Sequence, residues 1–120
     1  MPKTILIVDD DRTLVHILEQ IIQKEGYRTI SVYDGAEALK KAQDEQVDLI
    51  VLDIHMPKVH GYSLLFELRK IEGAGNTPVI ILTSNQDMGD IFKAEGVKEY
   101  LIKPCSPQTV LEKIKQYVQP

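Results

Sequence analysis

The sequence predicts an α/β fold: a five-stranded, parallel, doubly wound sheet forming one domain. Three observations carry this. Short apolar runs alternate with segments of helical periodicity, giving five βα units in 120 residues. Two of those runs, 49–52 and 79–82, are apolar without alternation, as in strands covered on both faces. Connections this short favour parallel strands with right-handed crossovers, and two helical layers would then cover one sheet.

Each element follows from local signals. Thr4–Val8 is rich in β-branched residues and closes on Asp9, Asp10 and Asp11. Leu14, Val15, Leu18, Ile21 and Ile22 recur at helical spacing, and Gly26 stops that helix. Residues 28–33 read as the second strand. Asp34 reads as an N-cap with Glu37 as its capping-box partner, and Ala38, Leu39 and Ala42 line the helix that follows. Strand three spans 48–52. Helix three spans 62–71 and buries Leu64, Leu65 and Leu68; residues 73–76 form a loop. Pro78 introduces strand four. A weak helix over 88–95, with Gly89 inside it, ends at Gly96. Residues 100–102 form strand five. Ser106 caps the last helix, with Pro107 at its first position and a stripe of Val110, Leu111, Ile114 and Val118.

Composition narrows the function. The net charge of -4 argues against a nucleic-acid surface, which needs a basic patch. No apolar run nears membrane-spanning length, and the N-terminus lacks signal-peptide features, so no membrane insertion is expected. The single cysteine, Cys105, forms no internal disulfide and fits a reducing compartment, with the cytoplasm as default. With no Trp and two Phe, aliphatic side chains fill the core.

The unusual polar residues gather at the carboxyl ends of four strands. Asp9 and Asp10 follow strand one, Asp53 strand three, Thr83 and Ser84 strand four, and Lys103 strand five. Sheets of this kind bind ligands at that edge. Close carboxylates repel unless a cation sits between them. Magnesium suits an oxygen-only donor set, with manganese as a substitute. Asp10 and Asp53 would ligate it directly, Asp9 directly or through water, and the His55 backbone carbonyl would add an oxygen. A carboxylate is also a nucleophile toward phosphorus. Asp53 would attack a phosphoryl donor while Lys103 and the Thr83 hydroxyl meet the charge on its oxygens. Taken singly, these residues have plainer readings: Asp11 is a helix cap, Lys103 a solvated lysine and Thr83 a satisfied strand-end hydroxyl. Their joint placement favours a site.

These stretches resemble the receiver domain of two-component response regulators. The likeness covers almost the whole chain. It rests on Ile5-Leu6-Ile7-Val8-Asp9-Asp10, on Asp53-Ile54-His55-Met56-Pro57 with Gly61 beyond, on Pro78-Val79-Ile80-Ile81-Leu82-Thr83, and on Tyr100-Leu101-Ile102-Lys103-Pro104. The resemblance implies a flavodoxin-like strand order of 2-1-3-4-5 and a phosphorylation-activated switch. It implies Asp53 as phosphoacceptor, Asp9 and Asp10 as the acidic pair that organises magnesium, and Thr83 as the hydroxyl that moves toward the phosphoryl group. Lys103 matches the family's lysine, with Pro104 following across a cis bond, and Tyr100 matches its switch aromatic. Ser84, His55 and Pro104 are expected to modulate the site. Expected partners are a sensor histidine kinase or phosphotransfer protein as donor, and a downstream protein target or an output domain. Pairing into a homodimer on phosphorylation is a further expectation. The output face would comprise the 88–95 segment, strand five and the last helix. Catalysis would be confined to the domain's own phosphorylation and dephosphorylation.

Three departures stand out. His60 replaces the Asp common before the loop glycine. Cys105 replaces the usual Phe, a change in packing rather than a redox sensor. The interval from Thr83 to Lys103 is short, which weakens the 88–95 helix further. Residues 1–120 read as one receiver domain, and 118–120 as the start of a linker or the end of a single-domain regulator. Two rival functions fit the residues less well. A docking module without phosphotransfer should have lost Asp53, Lys103 or an acidic-pair residue, and none is missing. A phosphatase with an aspartyl intermediate should carry a second aspartate at position 55, where His55 stands.

His55 lies two residues beyond Asp53, where an imidazole would shield an acyl phosphate from water or orient water toward it. The alternative is an exposed loop histidine. His55→Ala is expected to change the acyl-phosphate lifetime, measured by dephosphorylation after donor removal; an unchanged lifetime removes this role.

Overall fold

The computed structural model describes residues 2–53, 61–71, 77–83 and 97–120. Five strands form one sheet: β1 (Thr4–Val8), β2 (Arg28–Val32), β3 (Leu49–Asp53), β4 (Val79–Thr83) and β5 (Glu99–Ile102). All pairings are parallel and the order is β2-β1-β3-β4-β5, as the resemblance implied. Four helices accompany them among the described residues: α1 (Arg12–Lys24), α2 (Gly35–Asp44), α3 (Gly61–Lys70) and α4 (Pro107–Tyr117). The expected helix over 88–95, the loop at 73–76, and His60 and Gly96 lie outside the described residues.

Strand side chains alternate between two apolar layers, because successive residues point to opposite faces. Leu6, Val8, Ile50, Leu52, Val79 and Ile81 meet Ala38 and Ala42 of α2 and Leu64, Leu65 and Leu68 of α3. Ile5, Ile7, Leu49, Val51, Ile80 and Leu82 meet Val15, Leu18 and Ile22 of α1 and Val110, Leu111 and Ile114 of α4. Coverage on both faces explains the uninterrupted apolar runs: every residue of β1, β3 and β4 is buried. Residues of β5 are only half-buried.

Caps set the helix starts. The Asp11 carboxylate accepts from the Leu14 amide at 3.1 Å, Asp34 from the Glu37 amide at 2.8 Å, and the Ser106 hydroxyl from the Gln108 amide at 3.1 Å. Each satisfies a backbone donor that a helix start leaves unpaired. Gly26 turns the chain after α1 with φ of 101°, a conformation open to glycine.

Four elements differ from expectation by one residue at one or both ends. Strand three runs from Leu49 to Asp53 rather than 48–52, because Asp53 stays in the ladder opposite Leu82. The Asp48 carboxylate instead accepts from the Thr4 amide at 2.7 Å, tying the starts of β3 and β1. Strand two stops at Val32, and strand five begins at Glu99, opposite Ile80. Helix three begins at Gly61 and ends at Lys70.

Leu18 is fully buried between α1 and the sheet, whereas Asp34 acts at one exposed helix end. Leu18→Ala is expected to destabilise by about 2–5 kcal/mol. Asp34→Ala should lose only about 1 kcal/mol. Urea unfolding of both variants checks the order, and equal losses would contradict it.

Candidate functional site

The pleat that sorts the core also builds the site. Asp9 and Asp53 stand in the same phase as Ile5, Ile7, Leu49 and Val51, and Lys103 in the phase of Leu101, which packs on that same layer. Carried past the strand ends, this alternation brings Asp9, Asp53 and Lys103 to one side of the sheet edge. The Lys103 ammonium lies 3.0 Å from Asp9 Oδ2 and 3.3 Å from Asp53 Oδ2. The Asp9 and Asp53 side chains are 1% and 4% exposed, so one cation holds two buried carboxylates. The Lys103 backbone amide donates to the Thr83 carbonyl at 2.7 Å, which fixes the exit of β5 against β4. The Lys103–Pro104 peptide bond is cis.

The three aspartates after β1 do different work. Asp9 accepts from the Asp11 amide through Oδ1 at 2.9 Å and from Lys103 through Oδ2. Asp10 is exposed, and Asp11 caps α1. Asp9, Asp10 and Asp53 each offer a carboxylate oxygen within 4.8 Å of the others. Three carboxylates against one ammonium leave an excess of negative charge, and an oxygen-only donor set of this kind fits a hard divalent cation. Thr83 is buried at the end of β4, one residue beyond the partner of Asp53. Tyr100 is half-buried on β5 and packs against the α2–α3 layer. The structure thus brings Asp9, Asp10, Asp53 and Lys103 into one cluster, with Thr83 on the adjacent strand end and Tyr100 on the opposite face. His55 and Ser84 lie outside the described residues.

Burial shifts the titration of this cluster. Asp9 is pushed from 3.8 up to about 6, chiefly because it is desolvated; the charge of Asp53 adds to this, while the Asp11 amide and Lys103 oppose it. Burial works against the Lys103 charge, but its bonds and ion pairs with Asp9 and Asp53 outweigh that and hold its pKa above the ordinary value. Burial also pushes the Cys105 thiol up, with Lys103 opposing. Cys105 packs against the α1–α4 layer, in keeping with a packing role.

One feature of this edge was not foreseen: the Arg12 guanidinium lies 3.9 Å above the centre of the Tyr33 ring. The only sequence signal was a cation directly after three aspartates.

A family model described as response regulator receiver domain matches residues 5–115. The chain belongs to that family. It is 38% identical over 117 residues to the alkaline phosphatase synthesis transcriptional regulatory protein PhoP of Bacillus subtilis, covering 96% of this chain and 48% of that protein. It is 33% identical over 120 residues to the polar-differentiation response regulator DivK of Brucella anthropi, covering 98% of both. The chain spans about half the length of the first curated relatives it matches, and nearly all of DivK. Among solved structures, the chemotaxis protein CheY4 of Vibrio cholerae superposes with a TM-score of 0.91 at 29% identity, covering 98% of this chain and all of that one. The receiver domain of the sensor histidine kinase PA1611 of Pseudomonas aeruginosa superposes at 0.85 and 29% identity, covering 98% of each chain; it has a magnesium ion coordinated in its active-site cleft. Among the described residues, no helix of the chain is long and apolar enough to cross a membrane.

The raised pKa of Asp9 makes stability depend on pH. The folded state holds this proton more tightly than the unfolded chain does. The contribution to stability is therefore full below about pH 4 and lost as pH rises through about 6. Metal-free wild type should lose melting temperature over that interval more steeply than Asp9→Asn. Added magnesium should restore it near neutral pH and do little near pH 5, where Asp9 keeps its proton. Parallel melting curves for the two proteins would contradict this.

Proposed function

We propose that this chain is a phosphorylation-activated signalling switch that accepts a phosphoryl group on Asp53. The observation that carries the reading is the single Lys103 ammonium in contact with both Asp9 and Asp53 at the carboxyl edge of the sheet. An Asp53 oxygen attacks phosphorus, the P–N bond of a phosphohistidine breaks, and its electron pair stays with the departing imidazole. The donor is a sensor histidine kinase or phosphotransfer protein. Lys103, already beside Asp53, follows the new charge onto the phosphoryl oxygens, where charge-assisted bonds are strong. Asp9, Asp10, Asp53 and the His55 carbonyl would hold magnesium, with manganese as a substitute. When bound, that ion supplies positive charge to the phosphoryl oxygens. The domain turns over no separate substrate; its catalysis concerns its own aspartyl phosphate.

Phosphorylation places roughly -1.5 to -2 charge at one point. The Thr83 hydroxyl donates to one of the new oxygens, and Tyr100 turns toward the space it leaves. Tyr100 belongs to the half-buried strand, so the face around β5 and α4 changes. That face meets a downstream protein, an output domain, or a second copy of the chain. Ser84 and Pro104 modulate the geometry around Thr83 and Lys103. The cytoplasm is the compartment where such donors and the unpaired Cys105 are at home.

Intact mass tests the reading. After incubation with magnesium and acetyl phosphate, wild type should gain one phosphoryl group, about 80 Da, that Asp53→Ala does not gain. No gain under conditions that modify a control receiver domain would favour a docking module that works without phosphotransfer.

A further inference from the structure

The Arg12–Tyr33 stack is not used by the mechanism above. Lys103 and Arg12 are the only two cationic side chains among the described residues at the carboxyl edge. Lys103 is committed to two carboxylates; among the described residues Arg12 makes no ion pair, although three aspartates immediately precede it. Its position does nothing for the helix. Arg12 is the first residue of α1, where the helix dipole disfavours positive charge. Instead its exposed guanidinium lies over Tyr33, whose ring packs against the α1–α4 layer and anchors the stack. A guanidinium stacked on one face keeps its in-plane N–H donors available.

The strand order places this cation. Tyr33 follows β2 and Asp53 ends β3, with β1 between them. Two strand spacings are about 10 Å, so Arg12 stands beside the phosphoryl site rather than on it. At that range it acts on a donor through its charge. The cluster around Asp53 sets three carboxylates against the single ammonium of Lys103, so a further cation nearby favours an approaching anion.

We infer that Arg12, held on Tyr33, is a specificity-determining residue that selects phosphoryl donors by charge, favouring dianionic acyl phosphates over donors of lower charge. This rests on Asp53 being the phosphoacceptor. A unit charge acting across about 5–10 Å of watery surface changes the local concentration of a dianion about two- to tenfold at low salt. A donor with one net negative charge feels about the square root of that factor.

The experiment measures Asp53 phosphorylation kinetics with acetyl phosphate, a dianion near neutral pH, and phosphoramidate, which carries one net negative charge there. For Arg12→Ala, kcat/KM with acetyl phosphate should fall about two- to tenfold through KM, with kcat held. The fall with phosphoramidate should be smaller. Arg12→Lys should recover most of the loss, and the salt dependence seen with acetyl phosphate should flatten in Arg12→Ala. Tyr33→Phe, which keeps the ring, should match wild type. An unchanged KM for acetyl phosphate in Arg12→Ala, or equal losses with both donors, would overturn the inference. A wild type that takes a phosphoryl group from neither donor would instead sink the underlying switch reading, and this one with it.

Discussion

The site depends on one ammonium reaching two carboxylates that the fold has buried. Asp9 and Asp53 come from neighbouring strands and are almost wholly removed from water. Two such charges left alone would repel each other and pay a desolvation penalty of several kcal/mol each. Lys103 makes the arrangement tolerable, and its place is fixed twice, by its side chain and by its backbone bond to Thr83. The compensation is incomplete. Burial, with the charge of Asp53 added to it, shows in the reluctance of Asp9 to give up its proton. The same incompleteness suits the cluster to a hard cation and, under the proposed function, to an added phosphoryl group.

Around this cluster the sheet works as a sorting device. Its pleat sends the charged groups to the side carrying α1 and α4, and Tyr100 to the side carrying α2 and α3. The charged cluster and Tyr100 therefore stand on different faces of one sheet. The aliphatic core suits this arrangement. Aliphatic side chains fill both layers, and interiors of this kind are close-packed.

Most of this architecture was legible before the structure. The apolar runs of β1, β3 and β4 announced strands covered on both faces, and Asp11, Asp34 and Ser106 announced helix starts through their chemistry. Asp9, Asp10, Asp53 and Lys103 were legible as one cluster because all follow apolar runs. Boundaries were harder. Whether Asp48 or Asp53 belongs to the ladder depends on pairing with β4, which local composition does not encode. The particular bond between Lys103 and Asp9 was missed, since it joins residues 94 positions apart. The Arg12–Tyr33 stack was missed for a related reason: it depends on β1 and β2 being neighbours, and either residue alone reads as ordinary surface.

The half-burial of β5 sets strands closed to water beside one that water touches. The strands bearing the carboxylates are clamped on both sides, with no residue open to water. The strand bearing Tyr100 and leading into Lys103 is an edge, covered only in part. The carboxylates thus sit where the sheet is fully covered, and Lys103 reaches them from the end of a strand that water still touches. Under the proposed switch, a change of charge at Asp53 would be felt beside a strand whose surface is already within reach of another molecule.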